Sequence, residues 1–160
     1  VGREIERKFL VRDLSAIAGH CGIEIRQGYL SVDPERTVRV RIAGGRASVT
    51  IKGRSSASGA SRAEYEYEIP PAEAAELLER LAIQPVIEKA RYRLKVAGRT
   101  WEVDVFAGAN EGLAVAEVEL PSEDEVVAVP AWAGEEVTGD PRYYNASLAI
   151  RPYRDWPRNE

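Results

Sequence analysis

Histidine and cysteine are almost missing from this 160-residue chain. His20 and Cys21 stand alone, and there is no methionine. One cysteine excludes an intramolecular disulfide and a cysteine-rich zinc site. A Ser-His-Asp or Cys-His mechanism would have to use His20, and its neighbour Cys21 cannot face it from the next position on an element. Both read as ordinary residues near the end of a short helix. Long apolar runs are missing too. None reaches the roughly 18 residues of a membrane span, and no charged-then-apolar leader pattern stands at the start. The expected location is the cytoplasm, with no membrane partner. A basic excess is also lacking: 22 Lys and Arg face 26 Asp and Glu, for a net charge of −4. That argues against nucleic acid as a partner. The 44% hydrophobic content excludes a disordered acidic chain. What the chain does have is charge of both signs, on 30% of its residues, and the question is where it is placed.

The dominant pattern is period-two alternation, the mark of strands. It runs through Glu4–Val11, Ile23–Ser31 and Thr37–Ile42. Gly44-Gly45 predicts a hairpin turn into a partner strand over Ala47–Lys52. A small, polar loop over 53–61 leads to a strand over Arg62–Ile69. Pro71–Leu81 switches to helical spacing, with Ala74, Leu77, Leu78 and Leu81 on one face. Strands follow over Val86–Val96, Thr100–Phe106 and Leu113–Leu120. Short helices are expected over Asp13–Ala18, from Pro121 towards Pro130, and over Asp140–Ala149. The Pro-containing tail 151–160 is expected to be mobile. No repeat or linker divides residues 1–160, which read as a single domain.

Separating the two faces of each strand sorts the charges. One face carries Glu4, Glu6 and Lys8, then Arg39 and Arg41, then Lys52. It continues with Glu64, Glu66 and Glu68, then Lys89, Arg91, Arg93 and Lys95. Glu102 and Asp104, then Glu117 and Glu119, complete it. The opposite face is apolar throughout. One strand of this kind is an ordinary sheet with a wet side. Seven together, with the signs segregated by strand, are not. The fold class read from this is α+β: an eight-stranded antiparallel β-barrel with a few short helices packed outside. If the helices cover the apolar face, the charges line the interior. So many buried charges are too costly for a core unless the lumen is wet and holds ions. Converging carboxylates suit a hard cation such as Mg²⁺ or Mn²⁺. Clustered Arg and Lys suit a polyanion with bidentate oxygens.

The run Glu4-Ile5-Glu6-Arg7-Lys8-Phe9-Leu10-Val11 carries an E-x-E-x-K pattern that resembles the CYTH superfamily, the triphosphate tunnel metalloenzymes. Gln27-Gly28-Tyr29-Leu30, Thr37-Val38-Arg39-Val40-Arg41, Thr50-Ile51-Lys52 and Glu64-Tyr65-Glu66 agree in order. So do Glu88-Lys89-Ala90-Arg91-Tyr92, Trp101-Glu102-Val103-Asp104, Ala116-Glu117-Val118-Glu119-Leu120 and the stretch from Glu136 to Asn145. The resemblance is closest to small bacterial inorganic triphosphatases. It implies a tunnel that binds triphosphate with Mg²⁺ or Mn²⁺. By position it implies phosphate binding by Lys8, Arg39, Arg41, Lys52, Lys89 and Arg91. It implies metal-facing carboxylates at Glu4, Glu6, Asp104, Glu117 and Glu119, with Glu64 and Glu66 supporting the basic residues. Family members often carry a basic residue near the C-terminal end. Tyr144 and Asn145 stand there in this chain, which leaves Arg142, Arg151 or Arg154 to replace it.

The expected reaction is hydrolysis of inorganic tripolyphosphate or a related triphosphate. Catalysis would rest on positioning and charge, with Glu117 or Glu119 orienting the water and Lys89 assisting. The partner is then a small-molecule triphosphate or polyphosphate, and the chain a monomer or homodimer. Thiamine triphosphatases and class IV adenylate cyclases share the tunnel, and a non-catalytic polyphosphate- or nucleotide-binding module is the other alternative.

Overall fold

The computed structural model describes residues 2–157. Eight strands close into an antiparallel barrel. They are β1 (Gly2–Val11), β2 (Ile23–Ser31), β3 (Thr37–Ala43), β4 (Arg46–Lys52), β5 (Ser61–Ile69), β6 (Ile87–Val96), β7 (Arg99–Phe106) and β8 (Ala114–Glu119). Round the barrel the order is β5-β4-β3-β2-β6-β7-β8-β1, and β1 closes the ring by pairing with β5 at Gly2–Ile5. The ninth strand, β9 (Ala133–Glu136), pairs with the far end of β1 at Phe9 and Val11. Helix α1 (Pro71–Arg80) and helix α2 (Asn145–Ile150) complete the architecture.

Local chemistry explains these elements. Gly44 and Gly45 both take positive φ, +56° and +84°, as a tight turn twisted to match its strands requires. Pro71 opens α1 where a backbone N–H has no helical partner, with Glu73 in the first turn and Arg80 in the last. Ala74 and Leu78 of α1 bury against Val40 and Ala47 on the outside of the barrel. A second outer cluster joins Phe9, Trp101, Val103, Ala116 and Val118, with the Phe9 and Trp101 ring centroids 5.4 Å apart. Trp132, from the segment before β9, closes edge-on to Trp101 at 5.6 Å.

The register aligns every inward position. Glu4 lies opposite Arg62, Lys8 opposite Glu117, Tyr29 opposite Arg39, Gln27 opposite Arg41, and Arg91 opposite Asp104. At one end the inward positions become apolar. Tyr29, Ile87, Phe106 and Val115 pack there with Leu148 and Tyr143, so α2 and its flanks plug that end.

Three expectations are corrected. The segment from Pro121 to Pro130 forms turns and extended chain, not a helix. Its Ser122, Glu123, Asp124 and Glu125 favour a helix start, but the β-branched run Val126-Val127-Ala128-Val129 and then Pro130 do not sustain one. β9 was not expected, because Ala133-Gly134-Glu135-Glu136 has no alternating apolar residues. The tail is ordered through 157: Asn110 Oδ1 accepts from the Tyr153 backbone N–H at 2.8 Å, and Trp156 packs edge-on to Tyr143 at 5.2 Å. Residues 158–160 lie outside the described residues. No helix is long and apolar enough to cross a membrane among the described residues.

Candidate active site

The barrel encloses a cavity of about 510 Å³. Seven of its cations come from inward positions on five strands: Lys8 from β1, Arg39 and Arg41 from β3, Lys52 from β4, Arg62 from β5, and Lys89 and Arg91 from β6; Arg99, the first residue of β7, also lines it and pairs with Glu125. Its carboxylates are Glu4, Glu6, Glu64, Glu66, Glu102, Glu117 and Glu119. Alternation on twisted strands sends all of these side chains inward, while the apolar face goes to the helices outside.

Most of the cations are held from behind. Asp104 is fully buried and does not line the cavity. Its Oδ2 pairs with Lys89 Nζ at 2.7 Å, and Arg91 donates to both its oxygens at 2.7 and 2.9 Å. Asp104 was expected to face a metal; in the fold it is the counter-ion of two cations, with both oxygens engaged. Burial raises its pKa, but Lys89 and Arg91 outweigh this and hold it at about 2. Lys52 Nζ donates to Glu4 at 2.8 Å and lies 3.5 Å from Glu64. Arg39 donates to Thr50 Oγ1 at 3.1 Å, and Thr50 donates to Glu66 at 3.0 Å. Glu64 and Glu66 thus stand behind Lys52 and Arg39.

Some donors are left open. Arg39 Nε is buried with no hydrogen-bond partner among the described residues. Arg41 makes no ion pair among the described residues; burial, then Arg39 and Arg91, push its pKa down to about 9, so it is still charged at neutral pH. Lys89, fully buried, is pushed down to about 7 by burial, against the pull of Asp104. Clustered cations, with Arg41 lacking an ion pair and Arg39 keeping an unsatisfied guanidinium donor, are what an enclosed phosphate chain would satisfy.

The carboxylates on β1 and β8 are complementary. Glu6 and Glu117 are hydrogen-bonded to each other. Burial, then Glu117, pushes the Glu6 carboxyl well above its ordinary value. Burial also acts on Glu117, but Lys8 and its other partners hold it well below. Glu119 is raised by burial and by Glu4, Glu64 and Glu102. Among the described residues no three carboxylates stand close enough to cage a cation unaided. The donor set still fits a hard cation, because a carboxyl whose proton affinity is raised by burial and by a second carboxylate marks negative charge that a cation would offset. Such a cation would take its other ligands from phosphate and water, as Mg²⁺ does.

Arg142 and Arg154 point into solvent, paired with Asp140 and Asp155, and Arg151 lies at the outer surface. None reaches the cavity. Arg62 enters it instead, 3.8 Å from Glu4 and 5.8 Å from the Tyr144 ring centroid. Its signal was legible, since counting back by two from Glu66 and Glu64 reaches Arg62. Tyr29 and Asn145 also line the cavity. Tyr29 was hidden by its type, for a tyrosine in a strand reads as core. Arg93 and Glu68 lie at the mouth, where Arg93 pairs with Glu102 and Glu68 with Arg46.

Comparison with known proteins agrees with this geometry. A CYTH domain matches residues 2–153. An inorganic triphosphatase of Acetivibrio thermocellus is 50% identical, over 98% of this chain and 99% of its own length. One from Nitrosomonas europaea is 41% identical, over 92% and 97%. A crystal structure of an inorganic triphosphatase superposes with a TM-score of 0.66 at 38% identity, covering 92% of this chain and 97% of its own. The match runs from β1 through the α2 plug, and the chain belongs to the CYTH domain family.

Proposed function

We propose that the chain is a metal-dependent inorganic triphosphatase. The observation that carries this is the enclosed cavity, in which Lys and Arg side chains, four of them buried (Lys8, Lys52, Lys89 and Arg91), stand with a group of carboxylates on β1 and β8. The 50% and 41% identity with two inorganic triphosphatases supports the same reading.

Phosphoryl transfer asks the protein mainly for positioning and charge stabilisation. Lys8, Arg39, Arg41, Lys52, Arg62 and Arg91 bind the phosphate oxygens, and Arg39 offers its open Nε to one of them. Lys89, backed by Asp104, adds a donor where charge builds on the leaving phosphate. Glu6, Glu117 and Glu119 would hold a divalent cation, Mg²⁺ or Mn²⁺. Such a cation, when bound, supplies charge neutralisation across the phosphate oxygens. Of the two β8 carboxylates, Glu119 suits proton acceptance from water, because its surroundings raise its proton affinity, whereas Glu117 is held ionised. The plug at α2 keeps water from one end of the chamber.

The test is a turnover panel. Purified protein is given tripolyphosphate, ATP and thiamine triphosphate with Mg²⁺ or Mn²⁺, and both phosphate and pyrophosphate are measured. Tripolyphosphate is expected to be cleaved fastest, activity is lost on chelation, and Glu119→Gln lowers kcat by roughly 10² or more. Binding of all three without product would overturn the reading in favour of a binding module. One observation favours a second substrate class. A recess of about 720 Å³ adjoins the mouth, with Ile23, Ile25, Ala43 and Ala47 in its walls beside Arg41 and Arg91. An apolar group attached to a triphosphate fits there, and faster turnover of ATP or thiamine triphosphate would select that class.

A further inference from the structure

Two neutral side chains lie among the cations of the tunnel. Gln27, on β2, is completely buried. Asn145 is the first residue of α2 and lines the cavity. Arg41 Nε donates to Gln27 Oε1 at 2.7 Å, and Gln27 Nε2 donates to Asn145 Oδ1 at 2.7 Å. Lys89 Nζ donates to the same Oδ1 at 3.0 Å. The chain Arg41–Gln27–Asn145–Lys89 therefore links β3, β2 and β6, three neighbouring strands of one wall, through the first residue of α2.

Its polarity is fixed by its ends. Guanidinium and ammonium groups only donate. Arg41 must meet the Gln27 oxygen, which turns the Gln27 amide nitrogen towards Asn145. Asn145 must then present its oxygen, which also suits Lys89. No other amide orientation satisfies all four groups. The choice of amides has an electrostatic consequence. Lys8, Lys52 and Arg91 are steadied by carboxylates, which cancel part of their charge. Gln27 steadies Arg41 without cancelling any, and Arg41 has no ion pair among the described residues.

We propose that Gln27 and Asn145 are positioning residues for substrate, which hold Arg41 and Lys89 at a fixed separation along one wall of the tunnel while leaving Arg41 fully charged for phosphate. This rests on the triphosphatase reading for its substrate and deepens it. Sequence alone hides the pair, because its two members are 118 positions apart and neither carries charge.

The test combines turnover with binding of tripolyphosphate in chelator, measured by calorimetry, so that it does not depend on catalysis. Gln27→Met keeps the volume and removes both hydrogen bonds. It is expected to weaken binding about tenfold or more, as loss of a hydrogen bond to a charged group does, and to lower kcat. In an Arg41→Ala background the same change adds little, because the group it positions is gone. Asn145→Asp keeps both acceptor bonds and is expected to retain kcat while raising KM, because it neutralises local positive charge. Asn145→Leu loses both kcat and affinity. Thermal unfolding is followed for each variant. If Gln27→Met and Arg41→Ala combine additively, or Asn145→Asp and Asn145→Leu behave alike, the pair is merely structural and the proposal falls. Wild-type binding without hydrolysis would overturn the triphosphatase reading and leave the positioning role to be decided by the binding cycle. Absence of tripolyphosphate binding by the wild type would overturn both.

Discussion

Asp104 carries the largest electrostatic responsibility of any single residue. It is the only carboxylate whose two oxygens are both taken by buried cations, Lys89 and Arg91, among the described residues. Removing its charge leaves two buried cations with one partner fewer, and breaking a buried pair costs about 3 kcal/mol. Urea unfolding of Asp104→Asn at neutral pH is expected to show a loss of that order. The pH dependence follows from the same group. Its folded-state pKa, about 2, lies below the ordinary 3.8. In that interval the unfolded chain holds more protons than the folded one, so the stabilisation is complete above 3.8 and is lost as pH falls through about 2. The wild type should therefore lose stability on acidification across that window, and Asp104→Asn should show a shallower decline. At this scale the sequence was partly legible. Period two placed Asp104 on the charged face, but which carboxylate faces the chamber and which stands behind a cation depends on reach across the barrel. Arg62 and Arg142 make the same point in opposite directions.

Helix α1 shows how an element outside the tunnel sustains it. It packs so closely on the barrel that Gly28 has no room for a side chain: a Cβ there would sit 2.8 Å from Ala82 Cβ and 3.0 Å from Leu78 Cδ2. Gly28→Ala is expected to lower stability by about 1–3 kcal/mol through overpacking. Leu78→Ala, under the same helix, should cost about 2–5 kcal/mol by leaving a cavity. Thermal melts check both, and turnover per folded molecule should stay near wild type, since neither side chain reaches the chamber. The strands and α1 were readable because alternation and helical spacing are local properties of the chain. The segment over 121–136 was not. Val127 and Trp132 are bound by packing on the Trp101 cluster, and β9 forms because β1 offers a free edge beyond β5. Neither cause is visible in the residues of the segment. The plug at α2 was foreseen as a short helix, but its role was not, because Leu148 and Tyr143 are meaningful only against Tyr29, Ile87 and Phe106.

For the molecule as a whole, the net charge of −4 describes the sum and not the field in the tunnel. The barrel draws cations from six strands into one chamber, closes one end with an apolar plug and sets the β1 and β8 carboxylates in the same chamber. The proposed triphosphatase activity requires that arrangement to bring a triphosphate and its cation into a single site. The measurement that tests it most directly is anomalous diffraction from crystals of the protein with tripolyphosphate and Mn²⁺. Phosphate density is expected along the tunnel between Arg39, Arg41 and Arg91, with an anomalous peak beside Glu6, Glu117 and Glu119. Phosphate bound only on the outer surface, or manganese away from those glutamates, would contradict it.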